Sequence, residues 1–73
     1  MTIIDIKSEI TGIVSKVLKA VDDTVEEDEP IIILESMKMQ IPVAVPEDGS
    51  VVEVLVEEDA SVAEGQVVAR IKI

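Results

Sequence analysis

A chain of 73 residues is long enough for one domain, here residues 1–73, and its composition excludes most kinds of active site. Cysteine and histidine are both absent, so thiolate catalysis, zinc and haem have no ligands and no metal site is expected. A net charge of −10 and the lack of any aromatic residue argue against nucleic acid and membrane as partners. We expect a cytoplasmic, monomeric domain that is not itself an enzyme.

The predicted elements are all strands. In chain order, β-branched or apolar stretches occur around Val14 and Val17 and then over Ile31–Leu34, Met39–Val45, Val51–Val56 and Gln66–Ile73. Acidic, turn-prone segments separate them at Asp22–Thr24, Glu26–Pro30, Pro46–Gly49 and Glu57–Ser61. Because Pro42 and Pro46 cannot donate backbone hydrogen bonds, the strand that carries them is predicted to lie at a sheet edge or to make only a short pairing.

An internal repeat organises these strands. A shift of 37 residues places Gly12 over Gly49 and Leu34 over Ile71, and seven positions are identical between residues 12–36 and 49–73. Two similar halves most simply pack about a pseudo-two-fold axis as two antiparallel sheets. The junction between the halves, and with it Lys38, is then predicted to form a tight exposed turn.

Lys38 is the candidate functional residue because it is the only cation among 14 acids between Ala20 and Ala69. Met37 and Met39 flank it, and methionine is over-used on surfaces that must fit several partners. Two other interpretations stay open: the methionines could pack against the core, and Glu35 could either hydrogen-bond the turn or be a neutral neighbour. An Asp22–Asp28 calcium loop is disfavoured, because Glu27 and Ile33 stand where such a loop needs Gly and Glu.

The segment Glu35-Ser36-Met37-Lys38-Met39 resembles the signature Glu-(Ala/Ser)-Met-Lys-Met of the biotinyl domain, the biotin carboxyl carrier of biotin-dependent carboxylases. The similarity covers nearly the whole chain, including Gly12, Val14, Val17, Thr24-Val25, Pro30, Pro46, Asp48-Gly49 and Glu64–Gln66. The related lipoyl domain shares the fold but typically has Asp and Ala beside its lysine.

The resemblance implies an all-β, flattened barrel or sandwich of two four-stranded antiparallel sheets with pseudo-two-fold symmetry, of the short type without a thumb insertion. It implies biotin attached covalently at Lys38, with Glu35, Ser36, Met37 and Met39 as the motif that biotin ligase recognises. Biotin carboxylase and a carboxyltransferase acting on an acyl-CoA would be the other partners. A lipoyl carrier of a 2-oxo acid dehydrogenase-type complex and an unmodified acidic interaction module remain the alternatives.

Five departures from the family pattern stand out. The family usually has Gly at positions 22, 28 and 59, where this chain has Asp, so we expect a cost in stability if those backbones need positive φ. Gln40 replaces the usual Glu after Met39, which removes a charge two residues from Lys38. Ala60 replaces an Asp.

Overall fold

The computed structural model describes residues 2–73, which form eight β-strands. Their bounds are β1 Ile3–Lys7, β2 Gly12–Val17, β3 Thr24–Val25, β4 Pro30–Ser36, β5 Met39–Ala44, β6 Gly49–Val54, β7 Ser61–Val62 and β8 Val67–Lys72. Within these residues there is no helix long and apolar enough to cross a membrane.

Two four-stranded sheets contain these strands, in the orders β1-β8-β6-β3 and β5-β4-β2-β7, and every pairing is antiparallel. We call them the first and the second sheet. Replacing each strand by its partner in the 37-residue repeat converts one order into the other, as a pseudo-two-fold axis requires. The all-β fold of two four-stranded antiparallel sheets is therefore confirmed. Of the two alternatives for β5, the edge position is the one found, and Pro46 lies beyond the end of the strand.

The core lies between the two sheets and consists of aliphatic side chains, and Ser8 is the one buried polar residue of the described chain. Both halves contribute equivalent pairs such as Val14 with Val51 and Leu34 with Ile71, each at most 1% exposed. Burying one such side chain contributes roughly 1.5–3 kcal/mol, which a domain this small needs to offset chain entropy. The buried hydrophobic residues are Ile6, Val14, Val25, Ile31, Ile32, Leu34, Val43, Val45, Val51, Val62, Val68, Ala69 and Ile71.

Four equivalent turns connect the strands, two in each half. In each, a backbone hydrogen bond joins the first and fourth residues, as from the Asp23 N–H to the Ala20 carbonyl at 3.0 Å. The third residue has positive φ: 78° at Asp22, 68° at Asp28, 70° at Asp59 and 84° at Gly65. Positive φ at this position is typical of type II turns, which favour Gly there. The three aspartates that depart from the family pattern thus do occupy positive-φ positions.

We expect Gly65→Ala to lower the free energy of unfolding by about 1 kcal/mol, because alanine is disfavoured at positive φ. Apart from the residue itself and its two neighbours in the chain, no atom of the described chain lies within 4 Å of the added Cβ, so the backbone conformation alone sets this cost. Asp59→Gly, at the same place in another turn, should change stability by less and in the opposite direction. Urea denaturation of both variants measures the difference, and a neutral Gly65→Ala would refute the argument.

Glu29 closes one of these turns with its side chain. Its Oε1 accepts a hydrogen bond from the Glu26 N–H at 2.9 Å, and its Oε2 lies 2.9 Å from Lys19 Nζ. The hydrogen bond from Lys19, followed by that from Glu26, lowers the pKa of Glu29, and the same contact raises the pKa of Lys19. In the second half, Gln66 Oε1 accepts from the Ala63 N–H at 3.0 Å, so the same turn forms there without a charge.

Glu29→Gln should therefore preserve the turn and remove only the ion pair. A carboxylate with a lowered pKa stabilises the fold above its unfolded pKa of about 4.3 and loses that contribution as pH falls through its lower folded pKa. We expect a slightly lower melting temperature than wild type at neutral pH, with the difference vanishing in acid. Melting both proteins from pH 7 to about pH 2 tests this; a constant difference would show that the pair contributes nothing.

Candidate functional site

Lys38 lies on a two-residue hairpin turn between β4 and β5. Ser36 pairs with Met39 and Glu35 with Gln40, so Met37 and Lys38 alone form the turn. Both have positive φ, 52° and 65°. Positive φ at both central residues defines the type I′ turn, whose twist matches that of the strands it joins. The turn thus projects directly from the end of the second sheet.

The turn sequence is unusual for this geometry. Type I′ turns favour Asn-Gly, and other L-residues at positive φ cost about 1 kcal/mol each relative to ordinary backbone. Met37 and Lys38 hold this conformation because the β4–β5 register on either side permits only two residues between the paired strands. Strained backbone that the surrounding fold maintains is found preferentially at functional sites.

The turn side chains point into solvent. Met37 is 92% exposed and Met39 62%, so the interpretation that they pack against the core is wrong. Lys38 is also exposed, and no carboxylate of residues 2–73 forms an ion pair with its ammonium. The result is a free amine between two large, unburied apolar side chains.

Glu35 and Ser36 lie at the base of the hairpin. Glu35 is exposed on the outer face, and its carboxylate accepts no hydrogen bond from the described chain, so it does not hold Lys38 in place. Ser36 is half-buried at the end of β4. The five motif residues are therefore contiguous around one tip, with only Ser36 partly inside the fold.

Gly12 supports the hairpin from the neighbouring strand β2, a role that sequence reasoning did not assign. A Cβ at this position would lie 2.8 Å from the carbonyl oxygen of Glu35 and 3.5 Å from the Cβ of Ser36. The absent side chain is what lets β2 approach the base of the turn. A Cβ at its repeat partner Gly49 would likewise lie too close to the carbonyl oxygen of Lys72. In the sequence, the alignment of Gly12 with Gly49 in the repeat was the feature that could have indicated this role.

Residues 35–39 line neither of the two clearest cavities of the described chain. One of these, of about 320 Å³, lies beside β5 and is lined by residues including Ile41, Pro42 and Val45. Across residues 2–73 no three acidic side chains are placed to hold a metal ion. What the tip offers chemically is one accessible amine, suited to forming a covalent bond inside another protein's active site.

A duplicated all-β body that exposes one lysine on a tight hairpin has the architecture of a carrier domain. Residues 3–71 match the family model described as "Biotin-requiring enzyme", and the chain belongs to this biotin/lipoyl attachment family. Members of the family bind their cofactor covalently on a lysine. Carrier domains of this kind are parts of enzyme complexes and are not catalytic themselves.

Curated relatives include a dihydrolipoyllysine-residue acetyltransferase and a carboxylase subunit. The chain is 43% identical over 60 residues to the dihydrolipoyllysine-residue acetyltransferase component of the pyruvate dehydrogenase complex of Corynebacterium glutamicum, which covers 82% of this chain. It is 36% identical over 63 residues to the mitochondrial methylcrotonoyl-CoA carboxylase subunit alpha of Arabidopsis thaliana, and this match covers 86% of the present chain. The matches span only 9% of either relative's length.

Similar solved structures likewise include both carboxylases and a lipoyl domain. The urea carboxylase of Kluyveromyces lactis superposes with a TM-score of 0.93 at 33% identity, over 99% of this chain and 6% of that one. The lipoyl domain of the 2-oxoglutarate dehydrogenase complex of Azotobacter vinelandii gives 0.78 at 26%, over 96% of both chains. A single-chain long-chain acyl-CoA carboxylase gives 0.90 at 24% identity and adds support for the fold alone.

Proposed function

We propose that this domain is a biotin carboxyl carrier and that Lys38 is its attachment residue. The observation that carries the proposal is the exposed Lys38 amine on a type I′ turn between two exposed methionines. When bound, biotin would carry a carboxyl group from a biotin carboxylase to a carboxyltransferase acting on an acyl-CoA. The likeness to multi-domain carboxylases supports these partners.

The chain's own part in attachment is presentation. An exposed lysine ammonium is a poor nucleophile. Biotin ligase would remove the proton, and Lys38 Nζ would attack the carbonyl carbon of adenylate-activated biotin. The new C–N bond would be an amide, the C–O bond to AMP would break, and AMP would leave. The rigid turn keeps the amine clear of the body.

Besides presenting Lys38 to the ligase, the domain would keep the attached biotin close to the two enzymes that act on it. Once two active sites and the carrier belong to one assembly, the tether raises the effective concentration of the group to about the millimolar range. This requires an arm that does not fold onto the protein. The exposure of residues 37–39 fits that requirement, as does the position of the cavity beside β5, which none of these residues lines.

A lipoyl carrier is the second candidate, favoured by the 43% identity to the Corynebacterium relative and by the lipoyl-domain structure. The two methionines favour biotin, because lipoyl domains typically place Asp and Ala beside the lysine. Incubation of the purified chain with biotin ligase, biotin and ATP, and in parallel with lipoate ligase and lipoate, distinguishes the two. We expect intact mass to increase by one biotinyl group in the first reaction only. Labelling by lipoate alone would replace the proposal, and labelling by neither would favour the unmodified interaction module.

Met37→Asp and Met39→Ala together should lower the rate of biotinylation about tenfold, as loss of an apolar contact at an interface does. Because both side chains are exposed, the melting temperature should barely change. The control for added negative charge is Val21→Glu. Val21 is also an exposed apolar residue, and its repeat partner is already a glutamate, Glu58. If the double variant is labelled at the wild-type rate, the methionines are not a ligase determinant.

A further inference from the structure

The internal repeat allows the outer faces of the two sheets to be compared position by position. On the first sheet, Arg70 of β8 lies between Asp5 of β1 and Glu53 of β6 in the strand register. Arg70 Nε donates to Asp5 Oδ1 at 2.8 Å and Arg70 Nη1 to Glu53 Oε1 at 2.6 Å. This face is therefore crossed by a row of paired charges that suits permanent contact with water.

The second sheet has apolar residues at two of the three equivalent positions. Ile33 takes the place of Arg70 and pairs with Lys16 and Pro42, which stand where Glu53 and Asp5 stand on the first sheet. Ile13, 50% exposed, takes the place of Ser50. We call Ile13, Ile33 and Pro42 the Ile13 face. The same fold position is thus ion-paired on one sheet and apolar on the other.

The Ile13 face begins directly below the hairpin. Ile13 pairs with Glu35, which pairs with Gln40, and the next pair along the strands closes the Met37–Lys38 turn. At about 3.3 Å per residue, the row of Ile13 lies within roughly 10 Å of the turn. The apolar patch therefore lies close to the Lys38 tip and on the same sheet, with Glu35 and Gln40 paired in the row between Ile33 and the turn.

Charge and contact area both argue against a second copy of the chain as the binding partner at this face. Each copy carries a net charge of −10, so two copies repel one another. Three side chains also fall far short of the roughly 800 Å² per partner that a stable interface buries. A larger enzyme that also encloses the tip avoids both the charge repulsion and the shortage of area. It need not share the acidic charge of this chain, and the face would supply only part of its contact area.

The length of the lysine side chain indicates which enzyme that is. An unmodified lysine reaches about 6 Å from its Cα, and its amine must come within about 3.5 Å of the carbonyl that it attacks. The enzyme that modifies Lys38 must therefore close tightly around the hairpin and the body beneath it. Enzymes that act on the attached group work at the end of a much longer arm and need no such approach.

We propose that the Ile13 face is part of the docking surface for the biotin ligase that modifies Lys38. This rests on the proposed carrier function, and it assigns to the ligase an apolar contact outside the Glu35–Met39 motif. Lys16 and Glu35 border the face on neighbouring strands and are available for polar contacts at its rim. The contact would act on association, leaving the chemistry at the amine unchanged.

The test is the steady-state kinetics of biotinylation of the double variant Ile13→Ser, Ile33→Thr, which changes no charge. We expect KM for the carrier to rise about tenfold with kcat unchanged, the size expected for loss of a buried apolar contact. The matched control is Ile3→Ser, which removes an isoleucine of similar exposure, 44%, from the outer face of the first sheet. Its KM should stay within about twofold of wild type.

Thermal melting of each variant establishes that the comparison is made between folded proteins. An unchanged KM for the double variant, or an equal rise for Ile3→Ser, would overturn the docking proposal while wild-type labelling still upheld the carrier function. Failure of the ligase to label wild type would instead overturn the carrier function itself. A fall in kcat with KM unchanged would also refute the proposal, since it would indicate altered presentation of Lys38.

Discussion

Lys38→Arg should abolish incorporation of biotin altogether. The guanidinium stays protonated, so it cannot act as the nucleophile even inside the ligase. Charge and exposure at the tip are otherwise preserved, and the fold should be unaffected. Labelling with biotin ligase followed by intact mass and avidin binding measures the outcome. Lys72→Arg, on an exposed lysine of β8, is the control and should be labelled like wild type.

The position of the amine should matter as much as its presence. Exchanging the two residues, Lys38→Met with Met39→Lys, keeps the composition but moves the amine out of the turn and onto β5. Successive residues of a strand point to opposite faces, so the amine would leave the ligase's line of approach. We expect labelling to fall at least about a hundredfold, as a misplaced reacting group does. Retained labelling would show that the ligase reads only the presence of a nearby lysine.

Gly12→Ala should both destabilise the domain and impair labelling. The added Cβ would stand 2.8 Å from the Glu35 carbonyl oxygen, a backbone atom that can move only if the base of the hairpin moves. Overpacking of this kind costs about 1–3 kcal/mol, a large fraction of the stability of a small domain. Urea denaturation gives the stability, and biotinylation at a temperature where the variant is folded gives the effect on Lys38.

Gly49→Ala provides the matched control in the other half. Its Cβ would fall against the Lys72 carbonyl, at the end of β8 where Ile73 donates a backbone hydrogen bond to Thr2. We expect a similar loss of stability with normal labelling of the folded fraction. Equal impairment in both variants would mean that Gly12 acts through global stability and does not position the turn.

The sequence predicted the architecture well because the repeat applies the same physical constraints twice. Val14 and Val51 had to face one core, and Gly12 and Gly49 had to start equivalent strands. The turns were also foreseeable: Asp22, Asp28 and Asp59 replace glycines of the family pattern, and all three proved to have positive φ. Sequence alone also located Lys38 between two strands, which is where the structure places it.

The outer faces could not be predicted. Ile31–Leu34 is an unbroken apolar run, so alternation gives no indication of which residue faces outward, and in the structure it is Ile33 that is only half-buried. The register of β2 against β4 also shifts between Val14 and Lys16, which leaves Ser15 as an extra residue and keeps Ile13 and Lys16 on one face. Such a bulge changes the alternation without a sequence signal of its own.

Pro42 gives the edge strand β5 a property that extends beyond the single molecule. On an edge strand, proline is tolerated where its missing N–H would face solvent, so the free border of β5 lacks a donor at its middle. A neighbouring chain therefore cannot complete a ladder of backbone hydrogen bonds along it. The molecule can expose methionines and isoleucines beside that border with reduced risk of growing, strand upon strand, into aggregates.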